Sequence, residues 1–291
     1  YVQDLSKPNS KIVTLVSGFD NEHDVLHHEN GTFFIQTNLD APNRRIVTAP
    51  SSKATPDNWT TLIAETENPL TAGSAGEYLF CSYLKDAVSM IQQYDFKGQL
   101  VRNIELPGLG SAAGFGAKRT DTELYYTFTS YIYPPTIFKL NLASGKSEVY
   151  KQSGVKFDPS QYESKQVFYT SKDGTKVPML ITYKKGLKFD GTNPTLLYGY
   201  GGFNVSLTPS FSTSNIVLME NGGVFAVANI RGGGEYGDAW HNAGTQRQKQ
   251  NVFDDFIAAA EYLVAEKYTS SARLAIAGGS NGGLLVGACM T

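Results

Sequence analysis

Three short stretches of this chain repeat one another at a spacing of about 45 residues. They are Gly31-Thr-Phe-Phe-Ile-Gln-Thr37, Glu77-Tyr-Leu-Phe-Cys-Ser-Tyr83 and Glu123-Leu-Tyr-Tyr-Thr-Phe-Thr129, each rich in the aromatic and β-branched residues that strands prefer. A second run follows each at the same rhythm: Arg45-Ile-Val47, Met90-Ile-Gln92 and Thr136-Ile-Phe138. Turn signals at Asp95-Phe-Lys-Gly98 and Ala143-Ser-Gly-Lys146 close units. A period of ~40–50 residues with four strands per unit marks the blade of a β-propeller. Residues 1–152 are therefore predicted to hold three blades, with a leading strand at Lys11-Ile-Val-Thr-Leu-Val16. Propellers close with ~4–8 blades, so the others are expected before Tyr1. An open β-sandwich is the alternative on repeat evidence alone.

Residues 153–291 change character. An apparent hairpin pairs Gln166–Thr170 with Val177–Tyr183 around a turn at Asp173-Gly174. Three nearly unbroken apolar strands follow, at Thr195–Tyr198, Gly223–Ile230 and Arg273–Ala277, as in a sheet covered on both faces. A helix is predicted over Val252–Lys267, with Phe253, Phe256, Ile257, Ala260, Leu263 and Val264 on its apolar face. Asp254 and Asp255 are placed in its first turn, as structural carboxylates favoured by the helix dipole. Strand–helix–strand alternation indicates an α/β domain.

The chemistry concentrates at Gly278-Gly279-Ser280-Asn281-Gly282, a G-x-S-x-G that follows a predicted strand and opens a predicted helix. That context marks a nucleophile elbow, in which Ser sits on a strained turn and small residues clear the crossing of helix and strand. The helix N-terminus adds partial positive charge beside a developing oxyanion. Glycines also cluster after the other two strands, at Gly199, Gly201 and Gly202, and at Gly232, Gly233, Gly234 and Gly237. In a parallel sheet all three clusters fall at carboxyl ends of strands, where ligands bind, so Tyr200, Phe203 and Arg231 are expected near Ser280. Tyr198 is expected only to pack.

Two rival motifs fail. Gly232-Gly-Gly-Glu-Tyr-Gly237 matches the G-x-G-x-x-G of dinucleotide sites, but no helix is expected to open at its last glycine, so a pyrophosphate would lack its helix N-terminus. Gly145-Lys146-Ser147 ends like a phosphate-binding loop, but Leu140 stands where the first glycine belongs.

Taken together, Tyr198-Gly-Tyr-Gly-Gly-Phe203, Ala228-Asn-Ile-Arg-Gly-Gly-Gly-Glu-Tyr-Gly237 and Gly278-Gly-Ser-Asn-Gly-Gly-Leu284 resemble the signatures of the prolyl oligopeptidase family of serine peptidases. The resemblance extends more loosely over the repeats. It implies the last blades of a seven-bladed propeller in residues 1–152, and the N-terminal part of an α/β-hydrolase domain in residues 153–291. It implies an endopeptidase that cleaves short peptides after proline by acyl transfer to Ser280. The backbone N–H of Asn281 and the hydroxyl of Tyr200 would form the oxyanion hole, and Phe203 would line the proline pocket. Asn281 favours the proline-specific branch. Arg231 and Glu235 would shape their loop.

In this fold the triad runs Ser, acid, His, yet no acidic residue or histidine follows Ser280. All four histidines, His23, His27, His28 and His241, precede it, and His241 is expected to be a structural loop residue. Tyr1 is not an initiator Met, no signal peptide follows it, and Thr291 falls in a helix-like stretch. Both ends are therefore expected to be cuts, with the triad Asp and His beyond Thr291 and these 291 residues inactive alone. A serine without its base is a poor nucleophile near neutral pH. The alternatives are another α/β-hydrolase, such as an esterase or a neighbouring oligopeptidase, and a binding propeller with an inert partner domain.

Composition sets further limits. The formal net charge of −2 offers no basic surface for nucleic acid. No apolar run approaches the ~18 residues of a membrane span. Cys81 and Cys289 lie far apart and fit neither a disulfide framework nor a zinc site. The expected partners are short proline-containing peptides, with no nucleic acid and no membrane. No cofactor or metal is expected. A cytoplasmic location is expected, with periplasmic or secreted as alternatives.

Overall fold

The computed structural model describes residues 1–290; the chain end at Thr291, assigned from sequence to a helix-like stretch, lies outside them. Three antiparallel four-stranded sheets come first, each with its strands in chain order. They contain β1 (His23–Glu29), β2 (Thr32–Thr37), β3 (Arg45–Pro50) and β4 (Thr60–Ile63); then β5 (Leu70–Ala75), β6 (Tyr78–Lys85), β7 (Val88–Asp95) and β8 (Leu100–Ile104); then β9 (Ser111–Ala113), β10 (Glu123–Ser130), β11 (Tyr133–Asn141) and β12 (Ser147–Gln152). Tight two-residue turns at Asn30-Gly31 and Asp86-Ala87, both residues with positive φ, set the first two inner hairpins.

The period-2 pattern decides how these sheets pack. In β10, Leu124, Tyr126, Phe128 and Ser130 are buried while Tyr125 and Thr127 face out. The buried set meets Phe80, Ile91 and Ile104 of the preceding sheet in one core, and Leu79, Cys81 and Tyr83 meet Phe34 and Ile46 in another. The sheets thus stack face to face as neighbouring propeller blades. Buried side-chain amides stitch them: Gln36 Oε1 accepts from Ala72 N–H at 2.7 Å, and Gln93 Nε2 donates to the Leu142 carbonyl at 2.7 Å.

The leading strand expected at Lys11–Val16 does not form. Its backbone pairs only through an isolated bridge between Val2 and Val13. Leu15 alone is buried, against Phe33, Ile35 and Val47, while Ile12 and Val13 face solvent. One anchored side chain does not fix a ladder.

The second half builds a five-stranded sheet in the order β13-β14-β16-β15-β17, from β13 (Tyr162–Thr170), β14 (Lys176–Lys184), β15 (Thr195–Tyr198), β16 (Val224–Ala228) and β17 (Leu274–Ala277). β13, β14 and β16 pair antiparallel; β16, β15 and β17 run parallel. Every residue of β16 is buried, as its unbroken apolar sequence requires. Helices α1 (Thr213–Glu220), α2 (Asp238–Asn242), α3 (Gln250–Ala265) and α4 (Asn281–Cys289) complete the half.

Three helical expectations need correction, and one helix lies outside them. α1 has no sequence signal, because Met219 is its one buried residue and its β-branched centre mimics a strand. On α3 the buried stripe is Val252, Asp255, Phe256, Ala259 and Leu263, while Ile257 and Val264 are exposed. Because α3 starts at Gln250, no acidic residue lies in its first turn. An apolar count cannot see this rotation, since the stripe includes a carboxylate that faces Arg231. Lastly, a five-residue helix, α2, does open at Gly237.

The halves touch through specific contacts. Tyr131 of the third blade packs edge-on against Phe225 of β16, with ring centroids 5.4 Å apart. The Tyr236 hydroxyl donates to Asp86 Oδ1 at 2.6 Å, and Ser111 Oγ donates to the Pro209 carbonyl at 2.7 Å. Among the described residues, no helix is long and apolar enough to cross a membrane.

Candidate active site

The register of the parallel strands gathers the glycine clusters. Tyr198 pairs with Val227 on one side and Ala277 on the other, so the loops that leave β15, β16 and β17 emerge from one edge of the sheet. The last of them turns directly into α4. Ser280 occupies the turn with φ 51° and ψ −116°, a conformation that costs an ordinary L-residue of order 1–3 kcal/mol. Its side chain is exposed. The turn closes through Gly282 N–H to the Gly279 carbonyl at 2.7 Å and Gly283 N–H to the Ser280 carbonyl at 2.9 Å. A Cβ on Gly278 would lie 2.5 Å from the Gly282 carbonyl oxygen, and one on Gly282 would lie 2.7 Å from the Gly199 carbonyl oxygen. The G-x-S-x-G spacing is thus a steric requirement of strand and helix crossing over the β15 loop.

Tyr200 stands in that β15 loop, one hydrogen bond from the elbow. The side-chain amide of Asn281 donates to the Tyr200 carbonyl at 2.7 Å, and the Lys249 ammonium donates to the Gly201 carbonyl at 2.7 Å. Farther along, Phe203 and Asn204 both take positive φ, 54° and 57°, and the Phe203 ring stands 75% exposed. Asn204 N–H donates to the Gly232 carbonyl at 3.2 Å, and His241 Nδ1 lies 2.8 Å from the same carbonyl. Asn204 N–H also lies 3.0 Å from His241 Nδ1, so His241 touches both the β15 and the β16 loops. The other histidines are engaged in the blades: His23 with Thr37, His28 with Ser51, and His27 stacked on Phe96.

Arg231, just before the glycines of the β16 loop, is buried beneath these loops. Its Nε and Nη2 grip both oxygens of Asp255 at 2.6–3.2 Å, its own N–H donates to the same carboxylate at 3.0 Å, and Nη1 reaches Asp173 at 2.5 Å. Burial works hardest against the Arg231 charge, but its two carboxylate partners outweigh it and hold the guanidinium's pKa above its ordinary value. The same contact holds Asp173 well below the usual carboxylate range. Glu235 is buried without a countercharge. Its Oε1 accepts from Leu207 N–H and Asn229 Nδ2, its Oε2 has no partner, and burial pushes its pKa up to about 7.

The short helix at Gly237 does not revive a dinucleotide site. Positions 233 and 234 are crowded by the backbone carbonyls of Val205 and Asn204, where a pyrophosphate would need room. A cavity of about 490 Å³ lies between blades and loops, with Asn43, Arg44, Tyr83, Asn204, Ser206 and Asp238 in its walls. Ser280 is not part of that lining; the cavity meets the β15 loop just beyond Phe203. Among the described residues, no three His, Cys, Asp or Glu side chains converge as metal ligands would.

Ser280 and Asn281 thus lie on one elbow, and Tyr200 and Phe203 on one adjoining loop. Two contributors carried no signal. Lys249 belongs to no motif, and the Asn281 side chain gains a task only because the fold sets it under Tyr200.

Comparison with known proteins agrees across the chain. Residues 1–153 match the model of the prolyl oligopeptidase N-terminal β-propeller domain, and residues 209–291 match that of the prolyl oligopeptidase family. A prolyl endopeptidase of Elizabethkingia meningoseptica is 55% identical over all 291 residues, which correspond to 41% of that protein. One from Dictyostelium discoideum is 40% identical over 97% of the chain and 39% of its own length. Among solved structures, one from a study of two prolyl endopeptidases superposes with a TM-score of 0.87 at 47% identity, covering 95% of this chain and 41% of that one. Prolyl oligopeptidase B of Galerina marginata, bound to a 25mer macrocyclization substrate, gives 0.87 at 34% identity, covering 99% of this chain and 41% of its own. The chain spans about two fifths of the length of these curated relatives.

Proposed function

The chain belongs to the prolyl oligopeptidase family, and from that premise we propose that it is part of a serine endopeptidase that cleaves short peptides after proline. The observation that carries the reading is Ser280 itself. A serine held at positive φ, exposed, between a parallel strand and a helix, has the form of an acyl-transfer nucleophile. In the mechanism, Ser280 Oγ gives its proton to a general base and attacks the carbonyl carbon of the prolyl residue; the C–N bond then breaks, the amine leaves with that proton, and water releases the acyl group from Ser280. The backbone N–H of Asn281 and the Tyr200 hydroxyl receive the negative charge that develops on the carbonyl oxygen. Phe203 offers a flat apolar wall to the pyrrolidine ring. The general base and its orienting carboxylate, which the reaction requires, are assigned to residues outside these 291.

The division of labour falls at residues 152/153, with blades before and the hydrolase part after. The blades would stand over the site and admit only short peptides. Neither nucleic acid nor membrane enters this scheme. Among the described residues Cys81 and Cys289 are free thiols, and a cytoplasmic location belongs to this reading.

The test uses the full polypeptide that contains this chain, a blocked glycyl-prolyl amide and, for comparison, a simple ester. Ser280→Ala is expected to abolish amide hydrolysis. Tyr200→Phe keeps the ring and removes one oxyanion donor, so kcat should fall roughly 10²–10³-fold with little change in KM. A Tyr200→Phe kcat within twofold of the parent would end the oxyanion assignment, and a preference for the ester would point to an esterase.

A further inference from the structure

The loop that leaves β15 raises a problem of backbone support. Gly199 N–H still donates to the Ala277 carbonyl at 3.2 Å, continuing the parallel ladder. Beyond it the chain departs from the sheet, and the next two carbonyls, of Tyr200 and Gly201, have no strand to pair with. Each is instead capped by one side chain. Asn281 Nδ2 donates to the Tyr200 carbonyl at 2.7 Å, and Lys249 Nζ donates to the Gly201 carbonyl at 2.7 Å.

Both supports are confined. A Cβ on Gly202 would lie 2.5 Å from Asn281 Nδ2, so the amide fills the space that any other residue at 202 would take. Lys249 is half-buried just ahead of α3, and desolvation there lowers its pKa. Its contact with a neutral carbonyl is therefore a partly shielded, charge-assisted bond. The Tyr200–Gly201 peptide is thus held by Asn281 and the Gly201–Gly202 peptide by Lys249, and these two successive peptides fix the backbone from which the Tyr200 Cα–Cβ bond projects.

We propose that the Asn281 carboxamide and the Lys249 ammonium are positioning residues, which aim the Tyr200 hydroxyl at the oxyanion by holding the Tyr200 and Gly201 carbonyls. The proposal rests on the reading of Ser280 and Tyr200 given above. Under it Asn281 has two tasks: its N–H is one oxyanion donor, and its side chain sets the other. The arrangement makes the distance between the two donors a property of a single residue. A misplacement of about 1 Å at such a site costs on the order of 10²-fold in rate.

Asn281→Ala, Lys249→Met and Lys249→Arg test this in the full polypeptide, each alone and in a Tyr200→Phe background. Steady-state kinetics on the blocked glycyl-prolyl amide accompany a thermal melt of every variant. Asn281→Ala keeps the backbone N–H and adds no charge. With Tyr200 present, Asn281→Ala and Lys249→Met should each lower kcat roughly 10–100-fold with KM held within about threefold. Lys249→Arg, which still donates, should stay near the parent. In the Tyr200→Phe background both losses should shrink to about threefold or less, because the group being aimed is gone.

Equal losses in both backgrounds would overturn the proposal, since the side chains would then act on something other than the Tyr200 hydroxyl. So would single-variant kcat values within threefold of the parent, or a fall in kcat that tracks a fall in melting temperature. The controls separate this failure from a wider one. Turnover that survives Ser280→Ala defeats the peptidase reading itself. Loss with Ser280→Ala and Tyr200→Phe, together with unchanged Asn281→Ala and Lys249→Met, defeats only the positioning role.

Discussion

Each half of the molecule holds an arginine between two carboxylates, and the two arrangements have opposite consequences. In the blades, Arg119 meets Glu29 at 2.9 Å and Glu77 at 3.2 Å, with 39% of its side chain exposed. In the hydrolase half, Arg231 meets Asp255 at 2.6 Å and Asp173 at 2.5 Å, with 5% of its side chain exposed and Asp255 fully buried. Connectivity is similar: Arg119 joins three blades, and Arg231 joins the β16 loop, α3 and the β13–β14 turn. What differs is the solvent. Water can replace the partners of Arg119, whereas nothing can replace Arg231 for Asp255. The blades carry their stability in repeated apolar faces, while the hydrolase half commits buried charge to hold its loops in place.

The sharpest way to break that comparison is Arg231→Met. It leaves the buried Asp255 carboxyl without its partner, a situation that costs about 3–5 kcal/mol. Urea unfolding of the full polypeptide should show a midpoint lowered accordingly. Adding Asp255→Leu should recover most of the loss, because the pair is then replaced by apolar contact. A single variant as stable as the parent would mean that Asp255 is reached by water. The β16 loop should loosen as well, since Gly232 packs on the Gly201 carbonyl beside Tyr200.

The same contrast explains what the sequence made legible. Blades are legible because each inner strand repeats one apolar pattern, and Thr32–Thr37, Tyr78–Lys85 and Glu123–Ser130 all lie where the repeat puts them. The elbow is legible because its glycines and serine fall within five residues between a strand and a helix, even though the carbonyl they clear, that of Gly199, is distant in sequence. Lys11–Val16 misleads, since an apolar run does not reveal whether a partner strand exists beside it. The face of α3 misleads because one of its buried positions, Asp255, is charged, and only its distant partner Arg231 makes that burial tolerable. Lys249 and the Asn281 amide were invisible for the same reason: their partners are carbonyls, which every residue has.

Glu235 sharpens the comparison from the side of a buried acid without any countercharge. Burial raises its pKa from the ordinary 4.5 to about 7, against smaller opposing hydrogen bonds from Leu207 and Asn229. The folded chain therefore binds this proton more tightly than the unfolded chain does. Between pH 4.5 and pH 7 the native state holds more protons, so stability falls as pH rises. The contribution is complete below about 4.5 and lost above about 7. Glu235→Gln removes the titration and keeps the shape. Its melting temperature should change less with pH across this window, and it should exceed the parent's stability at pH 8 by roughly 3 kcal/mol. Parallel curves for parent and variant would show that Glu235 stays ionised in the fold, with water or an ion at its unpartnered oxygen.

The smallest effect is expected at Arg119, and its smallness carries information. Arg119 donates to Glu29 through Nε and Nη2 and to Glu77 through Nη1, and its guanidinium lies 5.8 Å from the centre of the Phe96 ring. Like Arg231 it pairs with two carboxylates. Glu29 belongs to the first blade, Glu77 to the turn that opens the second blade's inner strand, and Arg119 to the connection before β10, so the cluster looks like a bolt through three blades. Its groups, however, stay hydrated in the fold, and the ordering of three long side chains offsets much of what the charges gain. Arg119→Gln should leave the urea midpoint where it is at physiological salt. A slight loss should emerge only at low ionic strength, where exposed charges are less screened. A loss approaching that of Arg231→Met, insensitive to salt, would show that the blades also depend on buried charge, and the distinction between the two halves would fail.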